Sequence, residues 1–266
     1  STGKWRLGVY GMLPAPAEGT ELPAPDDPGP RAALRFRAVK LFADGALGSR
    51  GAALLEPYAD DPDNRGLLVT PERQLRLVTA AAAAAGLQPC THAIGDRANR
   101  LMLKVYATEM TAVQRIALRP RIEHAQVLHP GDIERLARLE VIAAMQPTHL
   151  TTDMPWAPRR LGPDRIPASY AFRTLIEAGV RVPFGSDFPV EPHSPLRGLY
   201  AAITTADPDR PGEKPLRPDQ RLTPEQALRG FTTEAAYAAF EEQVRGRVKE
   251  GFQADLTVLG VDLLEA

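Results

Sequence analysis

The sequence contains a single cysteine, Cys90, so the 266-residue chain cannot hold an internal disulfide framework. A lone thiol fits a reducing compartment, and we expect a cytoplasmic location. Lysine and arginine together number 32 against 33 aspartates and glutamates, and the basic residues form no block. Nucleic acid and anionic membrane surfaces are therefore poor candidates for partners.

Long apolar runs are also missing. The longest run, residues 80–85, is far too short to span a bilayer. No signal peptide is recognisable, although the first residues, Ser1 to Lys4, are not typical of a native start. The length is sufficient to bury a large core and allows a single α/β barrel domain.

Four polar residues each close a short apolar run, and they are Lys40, His92, His124 and Asp187. The interval from His92 to His124 matches one strand–helix unit of a parallel barrel, in which eight units occupy roughly 250 residues. The interval from His124 to Asp187 matches two units, and that from Lys40 to His92 matches one unit with an inserted loop at residues 45–66. Residues at the carboxyl ends of barrel strands face the active-site mouth, so we expect these four to converge.

Apolar runs and turn signals predict six strands, at residues 5–13, 34–42, 88–92, 121–124, 141–145 and 182–187. Helices are expected at residues 71–85, 96–110, 132–139 and 169–178. Residues 254–259 alternate like a strand that would belong to a small separate sheet. We therefore expect a barrel domain over residues 1–245 and a second domain beginning at residue 246.

Imidazole nitrogens and carboxylate oxygens together suit Zn²⁺ and similar divalent metals. Lys40 is an unusual member of such a set, because an ammonium group repels a cation. It fits if desolvation keeps its amine neutral, so that the amine captures CO₂ and presents a carbamate able to bridge two metals. Asp187 would then bind metal and also accept a proton from the attacking water.

Taken singly, each of these residues has a structural explanation. A strand-end lysine is most often an ion-pair partner, a histidine at such a position is more often neither a ligand nor a catalytic group, and an aspartate after Gly-Ser is often a turn or helix cap. Lys40 could also be the Schiff-base nucleophile of a barrel lyase or isomerase, which borohydride trapping with a carbonyl substrate would detect. Only the spacing of the four residues, which follows the strand–helix repeat, favours a metal site.

Three further residues are candidates for substrate binding. Arg50 belongs to a glycine-rich loop, residues 45–51, whose backbone N–H groups could hold an anion. His149 follows the strand at 141–145, where loops line the pocket, and Trp156 is either a lid residue or part of the loop packing. His129 and His193 are expected at the surface.

Several motifs together resemble the amidohydrolase superfamily, and in particular its amidohydrolase 3 branch, which includes N-substituted formamide deformylases. The motifs are VKLFADG (39–45) with LGSR (47–50), THAIGD (91–96), IEHAQ (122–126), GSDFPV (185–190) and the ending GRVKEGFQAD (246–255). The resemblance implies an α/β fold with a (β/α)8 TIM-type barrel and a small β-sandwich. It also implies that Lys40 is a carboxylated bridging lysine, that His92 and His124 are metal ligands, and that Asp187 is both ligand and base.

By this resemblance the chain is a metal-dependent hydrolase of amide or other non-peptide C–N bonds, in which metal-bound hydroxide attacks a carbonyl. The implied cofactors are one or two divalent ions, most simply zinc, and a CO₂-derived carbamate on Lys40. The expected substrate is a small molecule.

One family feature is missing from this sequence. Family members carry a His-x-His pair on the first barrel strand, whereas no two of the five histidines here are two residues apart. We therefore expect the C-terminal portion of such an enzyme, with barrel strands three to eight and a remnant of the sandwich. Unpaired strand edges would favour self-association or a companion N-terminal fragment. The alternative function is a catalytically inactive barrel or interaction module.

Overall fold

A five-stranded parallel sheet organises the protein. The computed structural model describes residues 7–17 and 20–264. The strands are β1 (Val9–Pro14), β2 (Leu34–Phe42), β3 (Gln88–Ala93), β4 (Arg121–His124) and β5 (Ile142–Ala144), and they lie side by side in chain order. The predicted positions of these strands are thus confirmed, although the first begins later than expected and residues 5 and 6 lie outside the described part.

The predicted sixth strand, residues 182–187, is reduced to one parallel bridge between Phe184 and Met145. Met145 donates its N–H to the carbonyl of Pro183 and accepts from the N–H of Gly185. Pro183 prevents a longer ladder, because it has no N–H to donate to β5. The N–H of Phe184 points away from β5 and is bonded to the carbonyl of Gly230. The segment nevertheless continues the order of the sheet beyond β5.

From β2 onward, helices fill the connections between strands, as the alternating pattern predicts. The four predicted helices are present with ends shifted by up to a few residues. The α-helices are α1 (Glu72–Ala85), α2 (Asp96–Glu109), α3 (Ala112–Leu118), α4 (Pro130–Arg138), α5 (Pro147–Asp153), α6 (Ala157–Leu161), α7 (Phe172–Glu177), α8 (Pro195–Thr204), α9 (Pro224–Arg229) and α10 (Ala235–Ala238). Short 3₁₀ turns lie at Ile166–Ala168 and Pro218–Gln220, and a π-helical turn at Gly230–Glu234 joins α9 to α10.

Helix α1 shows how the sequence sets these boundaries. Its alanine run has high helix propensity, and Gly86 ends it in the left-handed conformation, with φ of 77°. The buried stripe of α1 includes Leu75, Val78 and Ala82, and the helix contacts α2 and β3. Burial of this stripe joins the sheet and its helices in one hydrophobic core. Among the described residues, no helix has both the length and the apolar character needed to cross a membrane.

The other face of the sheet carries polar side chains. The register places Lys40 beside Cys90, and Phe42 beside His92. Residues two apart in a strand share a face, so Lys40 and His92 project to the same side. The buried Glu123, level with His92 in the next strand, lies on this side too. This polar face leads to the carboxyl ends of the strands, where the candidate site lies.

The C-terminal segment differs from its prediction. Residues 254–259 form no strand in the described part of the chain, and the side chains of Leu256 and Val258 are 63% and 96% exposed. Alternation alone does not stabilise a strand that has neither a neighbour nor a core to cover. The division into two domains near residue 246 stays a prediction.

Candidate metal site

Three histidines lie in a row at the carboxyl edge of the sheet. His92 comes from β3, His124 ends β4, and His149 lies in α5. The ring centroids of His92 and His124 are 4.5 Å apart in an edge-on arrangement, and those of His124 and His149 are 5.6 Å apart and nearly parallel. Asp187, from the segment that follows β5 in the sheet order, is next to His149, with 3.7 Å between His149 Nε2 and Asp187 Oδ2.

A compact set of three possible metal donors emerges from this arrangement. One ligand atom each from His124, His149 and Asp187 lies within 4.8 Å of the other two. Two of these residues, His124 and Asp187, were predicted as metal ligands, whereas His149 was predicted to bind substrate. The structure therefore brings the predicted residues together, and it places His149 among the possible ligands.

The backbone at the two shared ligand positions is unusual. His124 and Asp187 have positive φ values of 79° and 58°, and Ala125 follows His124 with φ of 44°. Non-glycine residues adopt this left-handed region at a cost in free energy, and such residues cluster at functional sites. Here the conformation turns the chain at the end of β4 and at the end of the segment that follows β5 in the sheet order.

Hydrogen bonds orient His124. Its Nδ1 lies 2.8 Å from Oε1 of Gln146, and the amide of Gln146 donates from Nε2 to the carbonyl of Ala144 at 3.2 Å. With the amide oriented in this way, Nδ1 of His124 is the donor of the first bond. Nε2 is then the ring nitrogen available to a metal ion.

His92 sits beside a buried carboxylate. Its Nε2 is 3.6 Å from Oδ1 of Asp44, which follows β2. Asp44 accepts backbone N–H bonds of 2.8–2.9 Å from Ala53, Ile94 and Gly95. It thereby ties the loop after β2 to the loop after β3. Burial raises the pKa of Asp44 to about 7, against the effect of these N–H donors.

The environment keeps the imidazoles uncharged. Burial, aided by repulsion from His124 when it is protonated and from Lys40, lowers the pKa of His92 to about 3. Burial, with a smaller effect from His149, lowers the pKa of His124 to about 4. Burial likewise lowers the pKa of His149, although the negative charges of Asp187 and Glu191 oppose it. Neutral imidazole is the form that binds metals, so all three rings are ready as ligands near neutral pH.

Lys40 lies on the same face, within electrostatic reach of the histidines, since its charge contributes to the lowered pKa of His92 and His124. Its Nζ is 5.0 Å from the ring centroid of Phe42. The ammonium also lies near Glu123, whose carboxylate is bound by both Nε and Nη2 of Arg121 at 2.8–2.9 Å. The predicted position of Lys40 beside the site thus agrees with the structure, while its role as a ligand stays a prediction.

Two unsatisfied nitrogens indicate that a cation fits here. Nε2 of His92 and Nε2 of His149 are buried and have no hydrogen-bond partner among the described residues. Buried polar atoms are nearly always bonded, so such exceptions need an explanation. Imidazole nitrogens and a carboxylate are the donors that zinc and related divalent metals prefer. The residues present therefore fit a metal ion.

The other predicted substrate-binding residues, Arg50 and Trp156, lie on two segments that contact each other. The guanidinium of Arg50 binds both carboxylate oxygens of Asp60 at 3.1 Å. The ring of Trp156 packs so closely on Gly48 that a Cβ there would lie 3.3 Å from two ring carbons. Arg160 joins the two elements by bonding to Asp60 and to the carbonyl of Gly48. The roles of Arg50 and Trp156 in substrate binding stay predictions.

Sequence reasoning missed two residues that shape the site. Gln146 holds His124, and Asp44 holds the loop beside His92. Both follow the end of a strand on the functional edge, which is the signal that identified the other candidates. Their side chains were overlooked because neither an amide nor a buried loop carboxylate completes a metal-ligand pattern in the sequence.

Comparison with known proteins decides the family. The family model described as "Amidohydrolase family" matches residues 7–266. The chain belongs to this family. The resemblance inferred from the sequence motifs is thus confirmed.

Three relatives illustrate the relationship. N-substituted formamide deformylase of Arthrobacter pascens is 26% identical over 237 residues, which cover 86% of this chain and 41% of that protein. Protein LONG AFTER FAR-RED 3 of Arabidopsis thaliana is 37% identical over 230 residues, with 86% and 39% covered. The crystal structure of an uncharacterized metal-dependent hydrolase from Pyrococcus furiosus superposes with a TM-score of 0.78 at 30% identity, covering 91% of this chain and 47% of that one.

These likenesses establish an α/β fold with a parallel sheet, similar to that of metal-dependent hydrolases, and an enzyme family of hydrolases. The chain spans less than half the length of each of these relatives.

Proposed function

We propose that the chain carries most of the metal centre of a hydrolase that cleaves amide or other C–N bonds in small, non-peptide molecules. The observation that carries this proposal is the convergence of His92, His124 and Asp187 with two unsatisfied imidazole nitrogens at the carboxyl edge of the sheet. Membership of the amidohydrolase family and the likeness to an N-substituted formamide deformylase support it.

Lys40, His92, His124 and Asp187 would hold one or two divalent ions, most simply zinc, with Lys40 as a carbamate. A divalent ion bound there supplies a water of lowered pKa and polarises a carbonyl oxygen. The fold would be strands three to eight of an eight-stranded barrel, with part of a small sandwich after residue 246.

Asp187 is the group best placed to move a proton. Its side chain is 41% exposed, so water and substrate reach it, while His149 beside it is 12% exposed. We assign Asp187 as the base that takes a proton from water at a carboxylate oxygen and passes it to the leaving nitrogen. Hydrolysis then yields a carboxylic acid and an amine. Arg50, His149 and Trp156 are the proposed contacts to the substrate.

The test is release of formate and amine from a panel of N-substituted formamides and other amides. The proposal predicts turnover that zinc restores after chelation and that Asp187→Asn abolishes while the variant keeps its fold. Metal-loaded protein that hydrolyses no C–N substrate would contradict it.

The missing His-x-His pair supports a second candidate, a catalytically inactive barrel or interaction module. The same panel separates the two, since this candidate predicts a folded protein without turnover.

We also propose self-association or a companion N-terminal fragment, because large apolar side chains such as Phe188 and Val190 are 66% and 70% exposed beside the site. A monodisperse monomer in sedimentation at micromolar concentration would contradict self-association. The buried free thiol of Cys90 supports the proposed cytoplasmic location.

A further inference from the structure

The contact between His149 and Asp187 has the spacing of an ion pair but contains no hydrogen bond. The 3.7 Å between Nε2 and Oδ2 is too long for a hydrogen bond. Nε2 of His149 is buried and has no hydrogen-bond partner among the described residues. A histidine that only filled space would be expected to satisfy this nitrogen. The pair is therefore arranged around something that both atoms can bind.

His124 supplies a third donor on the same side. Its ring lies nearly parallel to that of His149, and its ligand atom is within 4.8 Å of those of His149 and Asp187. Gln146 occupies Nδ1 of His124, which leaves Nε2 for coordination. The three donors come from the end of β4, from α5 and from the segment after β5, so folding of this edge of the sheet brings them together.

We propose that His149 is a metal ligand and that His124, His149 and Asp187 form a three-donor site for one divalent cation. Two imidazoles with one carboxylate form a ligand set that zinc and related metals use when a coordination position is left open for water or substrate. The exposed side of Asp187 provides that opening. The inference rests on the proposed function, because it shares His124 and Asp187 with the proposed metal centre. It differs in that His149 is a metal ligand instead of a contact to the substrate.

This site also explains how the chain could bind metal without a His-x-His pair. Three protein donors suffice for a catalytic type of zinc site. Lys40 and His92 are then not required for the first ion, whereas His149 is. Coordination of the first ion by His149 and its coordination by Lys40 and His92 therefore make opposite predictions for variants of these three residues.

The experiment is titration of chelator-treated, dialysed protein with Zn²⁺ by calorimetry. The variants are His149→Gln, His92→Gln and Lys40→Met, and the exposed His193→Gln is the matched control. Wild type and His193→Gln should bind about one zinc ion. The affinity of His149→Gln for this ion should be lower by more than about 10-fold, because even the loss of an outer contact to a metal ligand usually lowers the affinity by that factor. His92→Gln and Lys40→Met should retain this first ion. Zinc binding by His149→Gln equal to that of the wild type would overturn the inference.

A second variant guards against loss of affinity through misfolding. Cysteine at the same position, His149→Cys, should restore coordination through a thiolate, and Co²⁺ should then show a sulfur-to-metal charge-transfer band that His193→Cys lacks. Absence of this band in a folded His149→Cys protein would also overturn the inference. If instead His92→Gln and Lys40→Met lose the ion and His149→Gln keeps it, the inference fails while the proposed hydrolase centre stands.

Discussion

Nδ1 of His124 lies 2.8 Å from Oε1 of Gln146, and this contact fixes which nitrogen of the imidazole carries the proton. The amide is itself oriented by its bond to the carbonyl of Ala144. Outer contacts of this kind keep a metal-binding histidine in the productive tautomer and orientation. Gln146 is therefore a positioning residue for the site.

Gln146→Leu should weaken zinc binding by about 10- to 100-fold, because His124 loses the acceptor that holds its ring. Gln146→Glu keeps an acceptor and should bind zinc at least as well as the wild type. Calorimetric titration measures both affinities, and ¹⁵N NMR of the metal-free protein reports the tautomer of His124. Unchanged affinity and tautomer in Gln146→Leu would show that the contact has no such role.

Asp44→Asn should destabilise the metal-free protein by about 1–3 kcal/mol. The carboxylate accepts three buried backbone N–H groups, from Ala53, Ile94 and Gly95. Asparagine keeps only one acceptor oxygen, so its NH₂ group leaves at least one of these N–H groups without an acceptor. Urea unfolding gives the free energy of unfolding. Asp164→Asn is the exposed control and should change it by less than about 0.5 kcal/mol. Equal stability of the two variants would contradict this account of the loop.

Gly95→Ala should destabilise the protein strongly, because an added Cβ would lie 2.0 Å from the carbonyl oxygen of Ala53. The atoms that must move belong to the backbone of the loop held by Asp44, so we expect a loss of about 1–3 kcal/mol or more. Gly212→Ala, where a Cβ meets nothing within 4 Å, is the matched control. Thermal unfolding of the two variants measures the difference, and similar melting temperatures would argue against the close approach.

Asp153→Asn should alter how stability depends on pH. Burial, with a smaller effect from Glu191, raises the pKa of Asp153 to about 7, although Tyr170 and Gln126 donate hydrogen bonds to it. Between its ordinary pKa of about 4 and this value, the folded protein binds this proton more tightly than the unfolded chain does. The wild type therefore loses stability as the pH rises through this window.

The asparagine variant lacks this loss. Its free energy of unfolding relative to the wild type should increase with pH, by at most about 1.4 kcal/mol per pH unit. Urea unfolding at pH 5, 6, 7 and 8 measures the trend. Glu191→Gln removes a neighbouring negative charge and should lower the pKa of Asp153, so that the loss of stability ends at a lower pH. Parallel curves for Asp153→Asn and the wild type would refute the raised pKa.

The sequence predicted the strands of the sheet and the convergence of His92, His124 and Asp187, because strand–helix spacing and the carboxyl-end rule depend only on local pattern. The sequence placed His149 at the pocket but not among the possible metal donors, since the direction of its side chain depends on how α5 packs, chiefly against α8. The role of Gln146 was missed for a related reason, as an amide reveals its partner only in three dimensions.

The errors have equally local causes. Residues 182–187 look like a strand by their apolar content, but Pro183 lacks the N–H that would continue the pairing with β5. Residues 254–259 alternate like a strand, yet Val258 is almost fully exposed and covers no core. Pairing and burial decide whether an apolar pattern becomes a strand, and neither can be determined from the pattern alone.

Anomalous diffraction at the zinc edge from crystals of the zinc-loaded protein tests the central claim most directly. The account predicts a peak at the carboxyl edge of the sheet, within about 2.0–2.2 Å of an imidazole nitrogen of His124 and of a carboxylate oxygen of Asp187. Well-diffracting crystals of zinc-loaded protein with no peak between these two residues would contradict it.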